Sequence, residues 1–173
     1  MVLSEEIEQL KSIIKGALMR EWEAQGHRMT GAAIERITYT VDQVIPTDII
    51  VNVFMPKYAL IIDEGVPANR IPFAPGSGAR RSLYIEGLTR YAQQRMNILN
   101  LKEAKSVAFA IAYTQKREGM PTEASRRFSG TGKRTQWFEE AINKNLQFIN
   151  EWARMYFREF ITVSIQKILK KYK

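Results

Sequence analysis

The chain has 173 residues, 45% of them hydrophobic and 25% charged, enough for one ordinary domain with a real core and too well balanced for a disordered or fibrous protein. It contains no cysteine and one histidine, which excludes disulfide frameworks, thiolate zinc sites and cysteine nucleophiles and fits a reducing compartment. Twenty-six Lys and Arg against 18 Asp and Glu leave a formal charge of +8, favouring contact with polyanions or acidic protein surfaces without choosing between them. The start lacks a basic segment followed by an apolar one, and no run approaches the roughly 18 apolar residues of a membrane span, so a soluble protein made in the cytosol is expected.

In chain order, Leu3, Ile7, Leu10, Ile14, Ala17 and Leu18 recur at three- and four-residue steps, which predicts an amphipathic helix. Ser4 is its candidate cap, Glu5 and Glu6 suit the positive end of its dipole, and Gly26 is its expected end. Ile37, Tyr39 and Val41 alternate with Arg36, Thr38 and Thr40, the period of a half-buried strand. Pro46, Thr47 and Asp48 supply turn chemistry, and Ile49 to Phe54 reads as the returning strand, closed by Pro56. Ala59 to Ile62 fits a short helix or a third strand, with Gly65 favouring the helix. Val66 to Arg81, with Pro67, Pro72, Pro75, Gly76 and Gly78, is expected to be an irregular loop. Ser82 begins a helix to about Asn97, and Lys102 to Glu118 forms another that stops at Gly119 before Pro121.

No glycine or proline follows Gly132. From Thr135 the positions Phe138, Ala141, Ile142, Leu146, Ile149, Trp152, Ala153, Tyr156, Phe160, Val163, Ile165, Ile168 and Leu169 keep near-helical spacing. Either one helix of roughly 55 Å runs to the end, a length that suits a coiled-coil or inter-subunit role, or the chain breaks near Asn150 and folds back as two core helices. The expected fold is therefore α+β in a single domain, 1–173. Residues 1–81 provide an N-terminal helix, a small antiparallel sheet and an extended loop, and 82–173 a mostly helical part with a long terminal helix.

Candidate chemistry is sparse. Asp63 and Glu64 are adjacent carboxylates without catalytic spacing, and His27 alone cannot build a histidine metal site. Gly130-Thr-Gly-Lys-Arg-Thr135 resembles a phosphate-binding loop only superficially: Arg127 stands where a glycine is needed and Arg134 where a Ser or Thr must follow the lysine. No catalytic, cofactor or metal residue is therefore assigned. The interface or polyanion-binding candidates are the basic loop groups Arg80 and Arg81, Arg126 and Arg127, and Lys133 and Arg134, near the aromatics Phe73 and Phe128. Such arginines suit phosphates, partner carboxylates or plain solvation.

The order of segments carries one resemblance. An N-terminal helix, Met29-Thr30-Gly31 leading into a strand, a second strand, Tyr58-Ala-Leu-Ile-Ile-Asp-Glu-Gly65 and Ile71-Pro72-Phe73 resemble the head–tail joining, neck or tail-completion proteins of tailed bacteriophages over roughly residues 1 to 75. Gly119-Met-Pro-Thr122 and Ser129 to Thr135 are also similar to phage structural proteins. Usual members end soon after the Pro-Phe segment, whereas this chain adds about a hundred mostly helical residues. The resemblance implies a non-enzymatic virion protein that forms a homo-oligomeric ring between portal and tail. It would be assembled in the host bacterial cytoplasm, touch other head–tail and tail proteins, and meet DNA in the channel without sequence preference. The alternative is a small basic nucleic-acid-binding protein.

Overall fold

A computed structural model describes residues 2–27, 35–45, 48–76 and 82–171. The order is α1 (Val2–Ala24), β1 (Thr38–Ile45), β2 (Asp48–Phe54), α2 (Lys57–Glu64), a 3-10 turn at Ala68–Arg70, α3 (Leu83–Arg95), α4 (Leu101–Glu118), a second 3-10 turn at Glu123–Phe128, and α5 (Trp137–Lys171). The expected α+β class is what the chain adopts: an N-terminal helix, a two-stranded antiparallel sheet and a mostly helical second half ending in a long helix. Its contacts gather into two compact units, each built from separated stretches of sequence.

The first unit comprises residues 1–23, 31–56 and 136–173. The face of α1 carrying Leu10, Ile14, Ala17, Leu18 and Trp22 is buried, as its spacing requires. It runs antiparallel to α5: the rings of Trp22 and Trp137 meet edge to face at 4.9 Å, Lys144 Nζ pairs with buried Glu21 at 2.6 Å, and Trp152 Nε1 donates to the Glu6 carbonyl at 3.0 Å. Trp137, Ala141, Trp152 and Tyr156 are buried on α5, with Trp152 and Tyr156 stacked. Of the two C-terminal alternatives the continuous one holds, since α5 spans 35 residues without a break at Asn150. In the hairpin Tyr39 faces Val53 and Val41 faces Val51, with an irregularity between Gln43 and Ile45. Pro46 and Thr47, the expected turn residues, lie outside the described residues.

The second unit comprises residues 24–30 and 57–135. The ambiguous Ala59 to Ile62 stretch is helical, within α2. Ser82 caps α3 through the Ile85 N–H, and Asn100 caps α4 by accepting from the N–H groups of Lys102 and Glu103. Ala104, Ala108 and Ala112, small and four apart, form the fully buried stripe along which α4 admits close neighbours. Ile71, Phe73, Ile85, Ala108 and Ala112 make one core cluster. Beneath the loop, Lys116 Nζ donates to the Ile71 carbonyl at 3.2 Å, and the Tyr84 hydroxyl donates to Gln115 Oε1. The Val66 to Arg81 stretch is irregular over most of its described length, broken by the turn at Ala68–Arg70 and one bridge. That bridge is reciprocal: Val66 N–H to the Met120 carbonyl and Met120 N–H to the Val66 carbonyl, each 2.7 Å.

Candidate interaction surfaces

Tyr58 to Gly65 is the root of the proline-rich loop in a literal sense. Its last residue, Gly65, sits at φ +76° and delivers Val66 into the bridge with Met120, while Gly119 at φ +86° stands at the opposite corner. A Cβ on Gly65 would lie 2.6 Å from the Met120 carbonyl oxygen, and one on Gly119 would lie 2.6 Å from that of Val66. The two segments quoted for the phage resemblance, Tyr58 to Gly65 and Gly119 to Thr122, are thus brought together.

The basic candidates separate into distinct environments. Phe73 is not a surface anchor: it is buried, with its ring 5.0 Å from that of Tyr113 and 6.2 Å from that of Phe109. Arg80 and Arg81 lie outside the described residues. Arg126 and Arg127 are exposed on the second 3-10 turn, the guanidinium of Arg127 4.8 Å above the exposed ring of Phe128. Lys133 is also exposed. Arg134 is half-buried and donates to the carbonyls of Ser125 at 3.1 Å and Gly26 at 3.3 Å. It therefore clamps two backbone segments together, and of the described arginine candidates Arg126 and Arg127 offer charge to a partner.

Hydrogen bonding also explains why the Gly-Thr-Gly segment cannot cradle a phosphate as it stands. The N–H of Gly130 goes to the Ala24 carbonyl, that of Thr131 to Ser129 Oγ, that of Gly132 to the Ser129 carbonyl, and that of Lys133 to Thr131 Oγ1. A phosphate loop needs those donors directed at its anion. Here they hold a tight turn, which Gly26 (φ +73°) passes closely: a Cβ there would press on the Phe128 carbonyl oxygen.

His27 Nε2 lies 3.3 Å from Gln25 Oε1, and burial, together with the nearby Arg134 charge, pushes the imidazole down to about 4. An unfolded chain protonates its histidine near 6.5. Between those values the unfolded state binds more protons, so stability falls as pH drops from about 6.5 to about 4. His27→Gln is expected to flatten that part of the curve, read from urea midpoints at pH 7 and pH 5. Equal slopes in the two proteins would mean that His27 is not held neutral in the fold.

The surfaces missed by the sequence reading lie on α5. Phe148 and Met155, each 61% exposed, and Ile161 fall off the apolar series that predicted the helix, and they remain outside when its buried face is satisfied. Their signal was present as apolar residues on more than one helical face. Among the described residues no helix is long and apolar enough to cross a membrane, and no group of three His, Cys, Asp or Glu is placed to hold a metal ion. No known protein family, curated protein or solved structure matches the chain.

Proposed function

We propose that this chain is a ring-forming structural protein of a tailed-bacteriophage head–tail connector, joining portal and tail without catalysis. The observation that carries the self-assembly part of this reading is the exposed apolar surface of α5, where Leu146, Phe148, Met155, Ile161, Ile165 and Ile168 all face outward. Large apolar side chains left uncovered on two sides of a helix that outlasts its own core make that helix a natural gripping element between subunits. The placement in a phage neck rests on the resemblance of residues 1 to 75. Virion location, neighbouring head–tail proteins and passing DNA belong to the same proposal, with exposed Arg126 and Arg127 as the charge offered to acidic faces or phosphates.

The test is mass in solution and shape on a grid. Purified chain should run as a closed oligomer by light scattering, appear as rings by electron microscopy, and co-sediment with phage particles. A chain that remains monomeric at high concentration and never co-sediments defeats the reading. Tight DNA binding lost steeply with added salt would instead favour a nucleic-acid-binding role for the exposed arginines.

A further inference from the structure

The two members of the α1/α5 pair differ in length, 23 residues against 35. They begin level, at Trp22 against Trp137, and the side chains of Glu6 and Glu159 still meet at the other end. Val2, the first residue of α1, is then reached about one turn later, and the last residues of α5 continue roughly 12 Å beyond it. Ile161, Ile165 and Ile168, spaced by four and three, lie on one side of this end and are 55%, 51% and 57% exposed. Lys167 and Lys170, both exposed, make it basic.

A second unpartnered surface lies earlier on the same helix. A groove between α1 and α5 is lined by Ile13, Phe148, Trp152 and Met155, with polar Gln9, Ser12 and Glu151 beside them and Arg20, donating to Asn145 Oδ1 at 2.8 Å, at the end away from Gln9. One turn beyond Gln9 and Met155 stand Glu5, Glu6 and Glu159, which form no ion pair among the described residues, whereas neighbouring Glu8 is matched by Lys11 at 2.6 Å. Burial first, then the hydrogen bond to Glu159 and the charges of Glu159 and Glu5, raise the Glu6 carboxyl above its usual range. The chain therefore carries an apolar arm edged with lysines and a groove with an apolar floor, whose Gln9 end leads to acids. Both sit on one continuous helix, which cannot fold its end onto its own middle.

We infer that the end of α5, Ile161 to Lys171, docks into the α1/α5 groove of a second copy of this chain, its isoleucines covering Ile13, Phe148 and Met155 and its lysines meeting Glu5, Glu6, Glu159 and Glu151. Arm and groove are different surfaces, so the contact is head-to-tail and closes a ring when the rotation allows. This rests on the self-assembly reading above and names the surfaces that carry it.

Three full-length proteins test it by native mass spectrometry: the natural chain, an arm variant (Ile165→Asp with Ile168→Asp) and a groove variant (Phe148→Asp). All substituted positions are exposed, and circular dichroism verifies that each variant is folded. Each variant alone is expected to stay monomeric at concentrations at least about tenfold above those at which the natural chain assembles. Mixed in equal amounts they should form a one-to-one dimer and nothing larger, because one retains only its groove and the other only its arm.

A groove variant that still dimerises on its own means arm-to-arm contact and overturns the inference. Two variants that both assemble like the natural chain also overturn it while leaving self-assembly standing; a monomeric natural chain removes both. A second measurement avoids disruptive charges. The chain has no cysteine, so Phe148→Cys with Ile168→Cys in one chain places two thiols about 30 Å apart along the helix, too far to join within it. Oxidation should then yield a ladder of disulfide-linked oligomers, and a product confined to monomer contradicts the docking.

Discussion

Replacing Trp137 by alanine is expected to remove about 3–5 kcal/mol from the stability of the helical pair, a large share of what a domain of this size possesses. Trp137 is 0% exposed and is the first residue of α5, so its indole fills the pair's interior at the start of the long helix. The edge-to-face contact with Trp22 adds about 0.5–1.5 kcal/mol beyond area burial. Trp137→Phe, which keeps an aromatic edge, should cost distinctly less. All three tryptophans, Trp22, Trp137 and Trp152, belong to this unit, so fluorescence of the remaining two reports its urea unfolding directly. Leu99→Ala, at a residue 83% exposed, should change stability by no more than about 0.5 kcal/mol. A Trp137→Ala protein within about 1 kcal/mol of the natural chain would show that the tryptophan pair is not a centre of this core.

Alanine at Gly65 or at Gly119 is expected to be the most damaging small change in the other unit. Both glycines have positive φ, where an L side chain costs roughly 1–2 kcal/mol before any contact is considered. Each added Cβ would then press on a backbone carbonyl at 2.6 Å, and that carbonyl is an acceptor in the Val66–Met120 bridge. Relief of the clash opens the bridge, so the full cost should exceed about 2 kcal/mol. Gly76→Ala serves as the comparison: it has the same positive φ, but its added Cβ meets nothing within 4 Å, so only the conformational part remains. Hydrogen exchange separates the cases. Gly65→Ala and Gly119→Ala should lower protection at Val66 and Met120 and in α3 and α4, and Gly76→Ala much less. Equal effects at all three positions would mean that the bridge contributes nothing of its own.

The elements were legible because their signals are local. Leu10, Ile14, Ala17 and Leu18 mark the inner face of α1 by spacing alone, and those four residues are buried. Ser82 stands where α3 begins, and Gly119 closes α4 at a positive φ that suits glycine. The phosphate-loop reading failed on residue identities, and the structure adds the reason in hydrogen bonds, since the N–H groups of residues 130–133 are engaged within the turn and with Ala24. The candidate site was read less well. Arginine pairs in glycine-rich loops look alike in sequence, yet Arg134 is drawn in to clamp carbonyls while Arg126 and Arg127 stay outside. Phe73 was named for its nearness to arginines, and it belongs to the core because α4 offers it Phe109 and Tyr113.

The amino-acid sequence by itself determined a cysteine-free, basic α+β chain with a helical C-terminal third, because composition, capping residues and period are properties of neighbours along the chain. Only the tertiary structure decided that α5 runs unbroken, that Gly65 and Gly119 face each other across one bridge, and which apolar residues of α5 stay outside. The physical reason is that burial depends on the length and position of the partner. A 23-residue α1 can cover only one face and part of the length of a 35-residue α5, and what it leaves bare cannot be counted until the two helices are set side by side.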